Sequence, residues 1–264
     1  MHIVEELIAE RATKLMSRKR LFPLIKPWLY RALNYDAAVK MSDAIIDKKG
    51  RDAFEYVSAI LKPKLNITGI ENIPKSGRCI IIANHPTGLA DGVAVFDTIK
   101  DRRPDHVFLA NADALRVIPK GEDIIIPVEW VKEKRSQPKS KQTLLDIRNA
   151  LREGRAIVIF PSGRLAKLRL TGLIDKEWES SAAMIARKYD APVIPLKIKA
   201  RNSLMYYLFS WTNAELRDIT LFHELLNKKG QSFRMTFGKE IDPETLPRNA
   251  DEATALIRNV VEAL

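Results

Sequence analysis

The stretch Asn84-His85-Pro86-Thr87-Gly88-Leu89-Ala90-Asp91-Gly92 sets an imidazole and a carboxylate six positions apart. Such a pair can do general-base chemistry. A carboxylate within reach of the ring fixes its tautomer and stabilises the imidazolium formed when the ring takes a proton. Spacing limits how the two can meet. On a helix, about 100° per residue leaves them about 240° apart, and on a strand they share a face roughly 20 Å apart. Only a compact loop joins them. Pro86 biases His85 away from helical backbone, and Gly88 permits a tight reversal. A plainer use is open to the same residues: Asp91 as N-cap of a helix beginning near Val93, and His85 as a hydrogen-bonded loop histidine. Asp91 could do both jobs.

A second stretch, Phe160-Pro161-Ser162-Gly163-Arg164, follows the run AIVIF. A Pro-x-Gly turn at the carboxyl end of a strand lies where open α/β sheets build ligand sites. Arg164 offers a planar fork for phosphate or carboxylate, and a solvated turn arginine is the plainer alternative. Ser162 makes a weak nucleophile: a hydrolase elbow reads G-x-S-x-G, and here Phe160 and Arg164 stand in the two glycine places. A third stretch, Ala191-Pro192-Val193-Ile194-Pro195, suggests an edge or bulged strand beside a pocket.

Positioning these loops requires a scaffold. After Pro63, β-rich runs (65–70, 79–83, 107–110, 123–128, 156–160, 192–198 and 233–238) alternate with helical stretches near 92–101, 139–153, 176–189, 213–227 and 249–263. That alternation predicts an α/β fold with a mostly parallel or mixed sheet covered by helices on both faces. Continuous apolar runs such as CIIIA and AIVIF suit fully buried central strands. Residues 1–62 carry apolar positions at helical spacing and form a helical N-terminal section, a possible membrane-contact element, ahead of an α/β domain over 63–264.

The 264 residues hold 44 Lys+Arg against 33 Asp+Glu, a net charge of +11, and one cysteine, Cys79. A disulfide framework and a Cys-rich zinc site are excluded. The four scattered histidines offer no His-x-x-x-His pair, so no metal site is expected. The basic balance predicts an anionic partner: nucleic acid, anionic lipid or a phosphorylated substrate. The opening MHIVEELIAE lacks the charge and apolar core of a secretory signal, and no apolar run approaches a membrane span. The expected protein is soluble or peripheral.

Taken in order, NHPTGLADG, FPSGR and APVIP resemble the PlsC-type glycerolipid acyltransferases. That family carries a His-x4-Asp block, an Arg-containing block, Phe-Pro-Glu-Gly and a Val-x-Pro strand. The first loop is more similar still to the subgroup labelled hemolysin-like acyltransferases, which read Asn-His-Pro-x-Gly-x-x-Asp-Gly. The stretches Glu215-Leu216-Arg217, Glu224 to Gly230 and Phe237-Gly238 look like that subgroup too, so the resemblance covers roughly residues 65–240. It implies an acyltransferase without a cofactor. His85 would be the general base and Asp91 its partner, and the acceptor hydroxyl would attack the thioester of acyl-CoA or acyl-carrier protein. Thr87, Gly88, Pro161, Ser162, Gly163 and Arg164 would bind substrate, with backbone N–H groups near Gly163 serving the oxyanion. Three departures stand out: Asp91 lies one place further from His85 than in the main family, Ser162 replaces a Glu, and Ile124 to Glu129 occupies the second block without its Arg.

A lipid acceptor would require membrane contact. The segment 14–31 mixes Lys14, Arg18, Lys19, Arg20, Lys26 and Arg31 with Leu21, Phe22, Leu24, Trp28, Leu29 and Tyr30, the composition of an interfacial helix on anionic lipid. Of these, Lys19, Arg20, Phe22, Trp28 and Arg31 are the prime contact candidates; the alternative is that the apolar positions pack on the core. Met205 to Trp211 is a second candidate, equally explained as core. The basic run Lys132 to Gln142 reads as an exposed loop able to dock an acidic carrier protein or lipid headgroups. The expected location is cytoplasmic, on the inner face of a membrane. Alternatives are an amine or non-glycerol acceptor, or a nucleic-acid-binding module. No nucleic-acid partner is expected, since no RNA- or DNA-binding motif is present.

Overall fold

The computed structural model describes residues 1–18, 20, 22–129, 136–169 and 172–264. Helices α1 (Ile3–Arg11), α2 (Thr13–Met16), α3 (Phe22–Ala32), α4 (Tyr35–Ile45) and α5 (Gly50–Leu61) precede the first strand. The strands are β1 (Lys64–Thr68), β2 (Cys79–Ala83), β3 (Val107–Asn111), β4 (Ile125–Val128), β5 (Ala156–Ile159), β6 (Lys167–Arg169), β7 (Gly172–Ile174), β8 (Val193–Lys199) and β9 (Ser232–Phe237). Between and after them run α6 (Leu89–Ile99), α7 (Asp113–Val117), α8 (Gln137–Arg152), α9 (Ser181–Lys188), α10 (Leu204–Thr212), α11 (Ala214–Ile219), α12 (Leu221–Leu226) and α13 (Ala250–Ala263).

Among the described residues, seven strands form one sheet in the order β1-β9-β8-β2-β5-β3-β4, and β6 and β7 form a separate hairpin. Every pairing in the large sheet is parallel except β8 with β9. The fold class expected from the alternating runs is the one observed. Period-two alternation explains why the central strands are apolar throughout. On β2, Cys79, Ile81 and Ala83 enter one core while Ile80 and Ile82 enter the other; on β5, Ala156 and Val158 separate likewise from Ile157 and Ile159. The first core is closed by residues of α1, α4, α5, α6 and α12, and the second by α8, α9 and α13. The N-terminal helices therefore share a core with the sheet. Burying each central isoleucine contributes about 1.5–3 kcal/mol, and Ile80, Ile81 and Ile82 are all wholly buried.

At the amino-terminal edge of the sheet, Arg155 bonds the carbonyls of Asp105 and Asp123, and a second arginine does more. Arg103 is wholly buried. Its guanidinium donates to both Asp105 oxygens (2.8 and 2.6 Å), to the carbonyls of Pro74 and Gly154, and to Cys79 Sγ. It thus ties together the chain entering β2, β3 and β5. Burial pushes the Cys79 thiol up to about 11, so it is an inert core group.

Several boundaries differ from expectation. The helix placed near 92–101 starts at Leu89, because the loop before it is shorter than the Asp91 cap would require. The helix of 176–189 starts only at Ser181, since the preceding residues serve the loop region. The stretch 213–227 divides into α11 and α12 at Thr220. The β6–β7 hairpin and α10 were not anticipated as elements.

The candidate membrane segment is split. Phe22 is a correction: at 8% exposure it is core, not surface. Leu29 and Tyr30 also pack against the core, whereas Leu24 (73%) and Trp28 (76%), one turn apart on α3, face outward. Arg20 and Arg31 are exposed. Lys19 and Leu21 lie outside the described residues, as do 132–135 of the basic run; its residues from Gln137 to Gln142 open α8 and are helix where a loop was expected. No helix among the described residues is long and apolar enough to cross a membrane.

Candidate active site

Strands β8, β2 and β5 are adjacent and parallel, so their carboxyl ends bring three loops, 84–88, 160–166 and 200–203, to one edge. Asn84 fixes the first. Its side chain donates to Ile198 O (2.9 Å) and accepts from Ile198 N (2.7 Å), clamping the end of β2 to β8. His85 follows, its carbonyl accepting from Ala166 N in the second loop (3.0 Å). Its ring stacks on Phe160, with centroids 4.3 Å apart.

His85 Nδ1 lies 3.0 Å from Asp91 Oδ2, an ion-pair distance although the ring N–H is not aligned for a linear hydrogen bond. The compact loop that the spacing demanded is present. Gly88 is its pivot, at φ 80° and ψ −127°, a conformation open to glycine alone. A Cβ there would also stand 3.1 Å from Leu165. Asp91 does a second job: as the third residue of α6 it accepts from Thr87 N (2.8 Å), Gly88 N (2.9 Å) and the Thr87 hydroxyl. Donors free at a helix start are thus satisfied by the carboxylate that faces the histidine. The cap is at N-cap Gly88, not at Asp91 as a plain capping role would have it. The Thr87 side chain is buried, its hydroxyl spent on Asp91.

In the second loop, Ser162 is buried and donates its hydroxyl to Arg164 O (2.8 Å). The Gly163 N–H donates to Phe160 O (3.0 Å), so it is taken up in the turn and not offered to an oxyanion. Pro161 is buried and its carbonyl accepts from Glu179 N. Arg164 projects into solvent.

A base and a carboxylate on a loop at the carboxyl edge of a parallel sheet, with an exposed arginine beside them, define the chemistry to be matched. The family model described as Acyltransferase matches residues 64–199, more than half the chain and all three loop-bearing strands up to Lys199. The chain belongs to the acyltransferase family. A lyso-glycine lipid O-acyltransferase of Phocaeicola vulgatus is 25% identical over 227 residues, spanning 83% of this chain and 79% of that one. Another of the same description from Bacteroides thetaiotaomicron is 24% identical over 258 residues, 95% and 92% of the two chains. Among solved structures, a 1-acyl-sn-glycerophosphate acyltransferase, PlsC, from Thermotoga maritima superposes with a TM-score of 0.49 at 17% identity over 96% of this chain and 95% of that one. The motif order pointed to an acyltransferase, and the matched family is that one.

The candidate site includes groups that the motifs did not single out. Asp175 accepts from the backbone N–H of His85 (3.3 and 3.2 Å) and from Trp178 Nε1 (3.0 Å). Burial raises its pKa, offset in part by these donors. Its one sequence signal is being the sole acid among Arg164, Lys167, Arg169 and Lys176. Lys176 lies within the field of Arg164, Lys167 and Arg217, and burial first, then these cations, lower its pKa. Below the loop, Asn202 N donates to the Tyr207 hydroxyl, and Ser203 donates to Glu224, which pairs with buried Lys228 at 3.0 Å. No periodicity in the sequence reveals that such distant residues meet. In the place of the family's second block, Ile125–Val128 forms β4, and Glu129 lies 3.8 Å from Lys139.

Proposed function

We propose that this acyltransferase moves an acyl chain from acyl-CoA or acyl-carrier protein to the hydroxyl of a lysolipid-type acceptor, on the cytoplasmic face of a membrane. The observation that carries the reading is the 3.0 Å His85–Asp91 pair on a loop at the sheet's carboxyl edge. With Nδ1 turned to Asp91, Nε2 is the ring nitrogen left for substrate. It accepts the acceptor's hydroxyl proton while the oxygen attacks the thioester carbonyl carbon. The tetrahedral intermediate collapses with cleavage of the C–S bond, and the imidazolium returns its proton to the leaving thiolate. No covalent acyl-enzyme is needed. Asp91 stabilises the transient imidazolium, and Phe160 and Asp175 hold the ring and backbone of His85. Thr87 and Gly88 shape the loop. Pro161, Ser162 and Gly163 set the turn from which Arg164 reaches the anionic part of acceptor or donor.

A lipid acceptor is supported by the two relatives, each described as a lyso-glycine lipid O-acyltransferase. Membrane contact is supported by Leu24 and Trp28 facing outward on α3, with Arg20 and Arg31 exposed nearby. The test is an incubation with labelled acyl donor and a lipid extract, comparing wild type with His85→Ala. Wild type labels a lipid whose acyl group is released by mild alkali, as an ester is. His85→Ala loses at least about a hundredfold in rate while staying folded. Full transfer by a folded His85→Ala protein, or an alkali-stable amide product, refutes the reading.

A further inference from the structure

Helix α10 follows directly on the third loop of the active-site edge. It spans nine residues, Leu204–Thr212, without one charge. Ser203 caps it, accepting from Tyr206 N (3.1 Å), and buried Tyr206 and Tyr207 root it in the protein. Leu204, Leu208 and Trp211 face outward at 86%, 54% and 69% exposure. Their i, i+4, i+7 spacing keeps them within about 60° of arc, so they make one stripe. Three large apolar side chains left together in water need an occupant.

The surroundings say which one. The β6–β7 hairpin packs against α10 through β6, and β6 begins and ends with exposed Lys167 and Arg169. Arg164, Lys176 and Arg217 add to the same field. Of the nearby acids, Asp218 pairs with Arg217 at 2.7 Å, Asp175 is turned to His85, and Glu177 and Glu179 stand just beyond Lys176. An uncharged apolar stripe with a tryptophan near its end and flanking cations matches hydrocarbon below and anionic headgroups above. An acidic carrier protein would meet the cations but would leave the stripe in water.

We infer that α10 inserts its Leu204–Leu208–Trp211 stripe into an anionic bilayer and so seats the active-site loop at the lipid surface. The coupling to that loop is direct: Asn202, two residues before the helix, reaches Pro86 O with its side-chain amide at 3.5 Å. This rests on the membrane-peripheral reading above and adds a second contact to α3, one that sits beside the catalytic base. The flanking cations give the insertion an orientation and make it sensitive to salt.

The experiment is flotation with vesicles of phosphatidylcholine, alone or with phosphatidylglycerol as the minor component. Wild type is compared with Leu208→Ser/Trp211→Ser. Both positions are already exposed, so the unfolding midpoint should not move. The expected result is stronger binding to the anionic vesicles and at least about a tenfold fall in the bound-to-free ratio for the double variant. Quenching of Trp211 fluorescence by bromine-labelled lipid chains, read as the difference between wild type and Trp211→Phe, gives the same answer without the double variant. Equal partition of wild type and variant, no quenching of Trp211, or unchanged vesicle binding with weakened binding to acyl-carrier protein overturns the inference. Transfer to a monomeric short-chain lyso acceptor is measured alongside. The double variant should match wild type there, whereas absence of transfer by wild type itself defeats the acyl-transfer reading and leaves the vesicle result to stand separately.

Discussion

Asp91 carries two loads, and substitution can separate them. Asparagine keeps an oxygen for the Thr87 and Gly88 N–H groups but loses the charge opposite His85. Asp91→Asn should therefore cut kcat by about a hundredfold or more with a small change in unfolding midpoint, whereas Asp91→Ala should also cost about 1 kcal/mol of stability through the lost cap. Equal activity of Asp91→Asn and wild type would remove the residue from catalysis. Ser162 is the contrasting case. Its hydroxyl serves Arg164 O, so Ser162→Ala should retain acyl transfer within about threefold while losing about 1 kcal/mol at most, the worth of one such hydrogen bond. Loss of all transfer would revive a serine nucleophile. At this scale the sequence was informative where chemistry and backbone coincide: Pro86 and Gly88 announce the loop that joins His85 to Asp91. It was silent on Asp175, whose partner His85 lies 90 positions away.

Elements matter here through where they begin. Helix α6 starts at Leu89 because Gly88 takes a backbone no other residue adopts cheaply. Gly88→Ala should cost about 1–3 kcal/mol, and the contact with Leu165 should push the 160–166 loop away from His85. Transfer should then fall further than the lower unfolding midpoint explains, which rate measurements at a temperature well below that midpoint would reveal. The strands were legible because five of them are short apolar runs bounded by breakers, and β2 and β5 are buried along their whole length. The β6–β7 hairpin was not: three residues of β6, basic-apolar-basic, and three uncharged residues of β7 give too short a pattern. Residues 176–180 read as the start of a helix, but Trp178 there holds Asp175, which in turn holds His85.

The whole molecule carries a buried histidine outside the active site. His106 is wholly buried, with Phe96 and Phe108 beside it. Burial, the largest cause, pushes its pKa from 6.5 down to about 4. Below pH 6.5 the unfolded chain takes up a proton that the native protein refuses, so this contribution is intact above that pH and is lost as pH falls towards about 4. The loss reaches about 3 kcal/mol, and urea unfolding of wild type and His106→Phe at several pH values should show a shallower acid slope in the variant. The same slope in both would refute it. The two rims of the sheet differ in what change they can absorb. Arg103 binds the starts of three strands at one rim, so drift there breaks the fold before it can alter chemistry. The other rim carries loops that meet mainly one another. New acceptors can be tried there by natural variation while the scaffold stays intact, so divergence within this lineage should collect in residues 164–174 and 204–212 and spare the turn around Arg103.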